Sequence, residues 1–248
     1  MRFEFPTDFG LVVPVAMSLL SLRLFRLAWR SGRLPELLVG IYFLLVPFGI
    51  SLSIRVDRFS PETASIARAT ANALFTSGGV ALLLFAWSVF RPDARWAWWL
   101  AWGGSAIVVM IWALAIPLGV YASDLSLFLL VPVYTSYLWV FFESLRYFRL
   151  LRRRRSLGLV DPVLVNRFLL FAIWTGGVGA ITLMGVAGSL VQLANSTFDD
   201  GGALADPVVL GVTRILAVPI AVAIFLTFLA PARYHAWLRA KAPQADAL

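Results

Sequence analysis

Between Phe9 and Leu229 the chain is a succession of seven apolar runs joined by short polar links, at about 9–29, 35–55, 61–90, 93–120, 124–147, 162–194 and 207–229. An α-helix rises 1.5 Å per residue, so about 20 residues match a hydrocarbon core roughly 30 Å thick. A segment in lipid must satisfy its own backbone polar groups, and a helix does so alone. The pattern therefore predicts an all-α integral membrane bundle of seven helices. Hydrophobic residues make up 60% of the chain and charged residues 14%, with a mean hydropathy of +0.85, well outside the soluble range. No link is long or polar enough for a soluble domain, so residues 1–248 are read as a single membrane domain. Residues Met1 to Asp8 lack the basic, apolar and small-residue regions of a signal peptide, so the first run is expected to insert itself.

Three runs open on the same device. Ser60-Pro61, Asp161-Pro162 and Asp206-Pro207 each pair an N-cap residue with a proline at the first helical position. The first two turns of the third helix, with Glu62 and Arg68, are expected to stand above the membrane.

Lys and Arg on alternate sides give the orientation. With the N-terminus outside, the inner side holds Arg23, Arg26, Arg30, Arg33, Arg91, Arg95, Arg146, Arg149, Arg152, Arg153, Arg154, Arg155, Arg167, Arg233, Arg239 and Lys241. Of the 21 basic residues, that leaves only Arg2, Arg55, Arg58, Arg68 and Arg214 outside. The expected topology is N-out, C-in. Trp96, Trp98, Trp99, Trp102 and Trp237 fit an aromatic belt at the same inner interface.

A repeat runs through this frame. Ser21-Leu22-Arg23-Leu24-Phe25-Arg26-Leu27 returns as Ser144-Leu145-Arg146-Tyr147-Phe148-Arg149-Leu150, and each copy is followed by a short basic loop, a proline and a new apolar run. Pro35 to Leu45 resembles Pro162 to Leu170 with a two-residue offset, and Pro92-Asp93-Ala94-Arg95-Trp96 resembles Pro231-Ala232-Arg233-Tyr234. Helices one to three thus match helices five to seven. Both triplets enter from outside, which makes them two parallel three-helix repeats joined by a linker helix.

In topology this 3+1+3 order resembles the SWEET and PQ-loop transporters and, more loosely, the rhodopsin-like receptors. The residues depart from both. The only Pro-Gln is Pro243-Gln244 in the tail, and the only lysine is Lys241, beyond the membrane, so no Schiff-base lysine for retinal is present. The resemblance implies an architecture and no site residues.

Several chemistries are excluded at once. Without cysteine there is no disulfide, thiolate metal site or thiol nucleophile, and His235 alone cannot form a histidine metal cluster. No metal and no cofactor is expected. The formal charge of +8 sits at the ends of apolar runs, which points to membrane lipid and anionic cytoplasmic head groups as partners and not to nucleic acid.

The candidate sites are polar residues at membrane depth, where a buried charge is costly. Arg214 lies about 10 Å below the start of the seventh helix, beside Thr213. Asn72, Thr76, Ser77 and Gln192 are placed at comparable depth and would line an outward pocket for a small acidic ligand. Ser51, Ser53 and Ser189 lie at a similar level. The favoured alternative is structural: Arg214 snorkels outward to Asp206, Asp199 or Asp200.

Glu143, with Arg23, Arg146 and Arg167, would form an inner ion-pair or switch cluster. The structural alternative, an ordinary i,i+3 pair with Arg146, is preferred. Arg152, Arg153, Arg154 and Arg155 are expected to fix topology and hold anionic lipid, with an acidic protein partner as the functional alternative. Pro14, Pro47, Pro132 and Pro219 interrupt four helices as hinges or simple kinks. The hydroxyls of Tyr134-Thr135-Ser136-Tyr137 read as interhelical glue, and Gly78-Gly79 and Gly176-Gly177 with Gly179 as close-packing surfaces.

Paired carboxylates, metal ligands and a nucleophile with its base are all missing, so an enzyme is not expected. The reading ranked first is a non-enzymatic, receptor- or sensor-like protein with an outward small-ligand pocket, a basic cytoplasmic face and a separate signalling partner. A small-solute transporter and an accessory subunit of a membrane complex are the alternatives. A transporter needs a polar route through both halves, a receptor a pocket closed at its base, and a subunit neither.

Overall fold

The computed structural model describes residues 9–53, 55–118, 125–155, 157–194 and 207–240, and among them there is no strand. Helices α1 (Phe9–Ser31), α2 (Leu34–Ser53), α3 (Pro61–Phe90), α4 (Arg95–Leu118), α5 (Leu125–Arg155), α6 (Pro162–Ala194) and α7 (Pro207–Phe228) coincide closely with the apolar runs. A single 3₁₀ turn, Val56–Arg58, follows α2, and a short helix α8 covers Ala232–Ala240. Among the described residues, five segments are long and apolar enough to cross a membrane: Leu34–Ser53, Glu62–Phe90, Arg95–Leu114, Pro162–Met184 and Gly211–Phe228.

The surface supports a bilayer as solvent. Ile215, Val218, Val222 and Phe225 form an exposed stripe along α7, and Val15, Leu19 and Leu22 another along α1. Spacings of three and four residues place each set on one helix face. Helices apolar inside and outside fit a multi-pass membrane protein, because in water such faces would be buried. Trp96, Trp98, Trp99, Trp102 and Trp237 are all exposed, as a belt requires.

Contacts divide the chain into two compact units, Met1–Ser136 and Tyr137–Leu248, and α5 contributes residues to both. In the first unit α2 packs most extensively on α3 and then on α1, while α4 packs on α3. Leu20, Leu38, Phe43, Val46, Leu82 and Ala86 form its core. Small residues permit the close approach: a Cβ on Gly49 would stand 2.8 Å from the Ala71 carbonyl oxygen, and Gly78 and Gly79 abut Val46 and Val133. Ser21, fully buried, donates to the Gly40 carbonyl at 2.7 Å and fastens α1 to α2.

In the second unit α6 packs on α7 and α8. Trp174, Tyr137 and Val140 are fully enclosed. Gly176 lies under the Phe141 ring, Gly177 under Ile220 and Gly179 under Tyr137. Thus both glycine clusters are packing surfaces, as their lack of a preceding strand implies.

Three sequence expectations are corrected. The basic segment after the second repeat is not a loop: α5 continues through Arg155 and ends on a left-handed Gly158, φ 70°, with Leu159 N–H bonded to the Arg154 carbonyl. Arginine and leucine are good helix formers, so the helix does not stop where the apolar pattern stops. Ser60 holds the N-cap position of α3, yet its hydroxyl meets the Thr63 hydroxyl at 2.9 Å and caps no backbone N–H. The Thr135 and Ser136 hydroxyls bond the Val131 and Val133 carbonyls of their own helix, so they do not join helices. After α7 the chain forms the short helix α8, an element to which the sequence pattern assigned no boundaries. The four internal prolines, by contrast, lie inside continuous helices. Asp206 lies outside the described residues.

Candidate functional site

The C-terminal end of α5 is the best-formed polar site among the described residues. Tyr137, Val140, Ser144 and Leu151 recur every three to seven positions and are all buried. They fix that face of the helix inside the second unit, where Tyr147 stacks on Phe168 of α6 with ring centroids 5.4 Å apart. Glu143 lies beside this stripe. Its side chain is only 9% exposed, and Arg146 reaches one carboxylate oxygen at 3.4 Å. Low dielectric makes an uncompensated carboxylate costly, so the guanidinium one turn along stabilises it where it sits. Arg146 itself remains 58% exposed and faces outward.

Beyond that pair the opposite face of α5 carries Phe142, Leu145, Arg146, Arg149, Leu150, Arg153 and Arg154 around a cleft of about 480 Å³. Phe142 and Leu145 occupy its start, and the arginines, with Leu150 among them, its end. Guanidinium groups beside an apolar wall are suited in their chemistry to an anion attached to an apolar body. Ser144, one residue from Glu143, is fully buried and its hydroxyl has no hydrogen-bond partner, whereas Ser21, which opens the similar heptapeptide of α1, donates to Gly40.

A second constellation joins α6 to α8. Asp161 caps α6 by accepting the Val163 N–H at 2.9 Å, the role its place before Pro162 predicts. Its other oxygen meets Arg239 at 3.2 Å, and Asn166 donates to the Tyr234 hydroxyl at 2.8 Å. Tyr234 stacks on Trp237 with planes 21° apart. The Val163 N–H, with the Arg239 and His235 charges, holds the Asp161 carboxyl below the usual carboxylate range. Neither contact is readable from sequence, since its partners are 68 and 78 positions apart.

The residues proposed for the outer pocket divide between the units. Asn72, Thr76 and Ser77 belong to the first and Gln192, Thr213 and Arg214 to the second. The Thr76 hydroxyl is engaged: it donates to the Asn72 carbonyl at 2.8 Å and accepts from the Trp112 indole at 3.0 Å, tying α3 to α4. Asn72 and Thr213 are half-buried, and Ser77 is exposed. The side chains of Arg214, Gln192 and Ser189 lie outside the described residues, as do Asp199 and Asp200.

Of the inner cluster, Glu143 and Arg146 are brought together, Arg167 is exposed on α6, and Arg23 is exposed in the first unit. Arg152, Arg153 and Arg154 are exposed, and Arg155 is half-buried. Among the described residues no three His, Cys, Asp or Glu side chains converge on a metal position. No protein-family model matches this chain, and no curated protein or solved structure does either.

Proposed function

We propose that this chain is a non-enzymatic, receptor-like protein of the inner or plasma membrane. It crosses the bilayer seven times, N-out and C-in, as two parallel three-helix repeats joined by a linker helix. The observation that carries the reading is α5. It is one helix of 31 residues, about 46 Å long at 1.5 Å per residue, against a hydrocarbon core of about 30 Å. Its arginine-bearing end therefore reaches past the bilayer while its buried stripe holds it to the second unit. A continuous helix passes displacement from the membrane interior to a basic cytoplasmic surface, where an acidic partner reads it. On the outer side, Arg214 is the only charged residue of α7 and supplies the cation for an acidic ligand.

The test is thermal unfolding of purified protein across a panel of small carboxylates, phosphates and lipids, with Arg214→Ala alongside. A ligand bound only by the native state raises the midpoint by mass action. A shift in the parent that is lost in a folded Arg214→Ala variant supports the receptor reading. A shifting ligand that is also taken up by proteoliposomes makes the protein a small-solute transporter. No shift in either protein leaves the accessory-subunit reading in first place.

A further inference from the structure

We infer that the outer face of α5 at its inner end is a binding site for one anionic phospholipid, with the phosphate held by Arg146, Arg149 and Arg153 and an acyl chain laid along Phe142 and Leu145. The cleft these residues share is about 480 Å³. Its order along the helix matches an amphiphile. Phe142 is 61% exposed and stands about 26 Å from Leu125 at 1.5 Å per residue, while Arg149 and Arg153 stand about 36 and 42 Å away. In a core roughly 30 Å thick, the phenyl ring remains in hydrocarbon and the guanidinium groups lie at the phosphate level.

Charge complementarity names the occupant. Positions 142, 146, 149 and 153 lie on one helix face, so three planar guanidinium forks converge on a single anion beside an apolar wall. A zwitterionic lipid would bring a choline ammonium to the same arginines. A soluble anion would leave Phe142 and Leu145 uncovered. Glu143 refines the site: paired with Arg146 at 3.4 Å, it fixes that side chain and offsets part of its charge, so Arg149 and Arg153 carry most of the phosphate recognition. This is narrower than attraction of lipid by the whole arginine run, because Arg152 and Arg155 do not line the cleft.

The inference rests on the C-in orientation proposed above only for which leaflet supplies the lipid. Binding of dioleoylphosphatidylglycerol and dioleoylphosphatidylcholine to the full chain in detergent is therefore measured by native mass spectrometry, and orientation is read separately by labelling Leu157→Cys. Arg149→Gln/Arg153→Gln is compared with Arg152→Gln/Arg155→Gln, which removes the same charge outside the cleft. The expected result is phosphatidylglycerol binding weakened roughly tenfold or more by the first pair and about twofold or less by the second. Arg149→Lys/Arg153→Lys keeps the charge but not the planar fork, so its binding should fall between the parent and the Gln pair, and the binding it retains shows that the protein is folded. Equal losses in both Gln pairs would show a diffuse electrostatic surface and overturn the site. Unchanged binding in both, or equal occupancy by phosphatidylcholine or by soluble glycerol phosphate, would overturn it as well. Leu157→Cys labelled from outside with binding intact refutes the orientation and leaves the site standing.

Discussion

Gly49→Ala should destabilise the protein more than Gly40→Ala, although the added methyl group meets the closer neighbour at Gly40. At Gly40 a Cβ would stand 2.6 Å from Phe25 Cε1 and 2.8 Å from its Cδ1. Both are ring atoms at the far end of a side chain, which a small χ rotation displaces. At Gly49 the obstacles are the Ala71 carbonyl oxygen at 2.8 Å and the Phe75 nitrogen at 3.1 Å. Those belong to the α3 backbone, so relief requires α2 and α3 to separate by several tenths of an ångström along the most extensive interface of the first unit. Overpacking of this kind costs about 1–3 kcal/mol. Replacing a helical glycine by alanine returns up to about 1 kcal/mol. The net expectation is a loss of about 1–2 kcal/mol for Gly49→Ala and a change near zero for Gly40→Ala. Reversible unfolding in mixed detergent, with Gly49→Ser as a second small substitution, measures both. A Gly40→Ala loss equal to or larger than that of Gly49→Ala would mean that distance alone, and not contact with backbone, sets the cost.

Other expectations follow from single contacts. Thr76→Val removes the acceptor of the Trp112 indole and should cost about 0.6–2 kcal/mol, with Thr76→Ser close to the parent in the same unfolding assay. Gly158→Ala places a Cβ at φ 70° and should cost about 1 kcal/mol by fraying the end of α5, seen as faster amide exchange at Leu157 and Leu159. For Asp161 the folded-state pKa is depressed, first by the Val163 N–H. Its stabilisation is therefore complete above the unfolded carboxylate value near 4 and disappears as pH falls below it through the folded value. Unfolding midpoints between pH 6 and pH 3 should fall in the parent and fall less in Asp161→Asn, which retains a capping oxygen.

Helix positions were legible in this sequence because length, hydropathy and caps agree. Pro61, Pro162 and Pro207 each begin a helix, and Gly32 and Gly158, both left-handed, follow the ends of α1 and α5. The extension of α5 was hidden because a membrane pattern ends at the interface while helix propensity does not. For the same reason α8, nine residues following Pro231, carries too little apolar periodicity to announce itself. At the site, Glu143 and Arg146 were readable as neighbours one turn apart. The cleft beside them was not, because burial of Tyr137, Val140, Ser144 and Leu151 decides which face of α5 is left open, and that depends on α6. Contacts such as Tyr234 with Asn166 join distant positions through chemistry common to many residues, so no local signal marks them.

In the proposed topology α5 carries its arginines to the cytoplasmic side of a chain crossing the membrane N-out and C-in. The sequence contains no cysteine, so single cysteines report position without background. Ser60→Cys, Asp93→Cys and Leu157→Cys, all at exposed positions, are treated in intact cells with a membrane-impermeant maleimide. Labelling of Ser60→Cys alone is expected, with Asp93→Cys and Leu157→Cys reacting only after permeabilisation. Labelling of Leu157→Cys in intact cells, or of Ser60→Cys and Asp93→Cys from the same side, would contradict it.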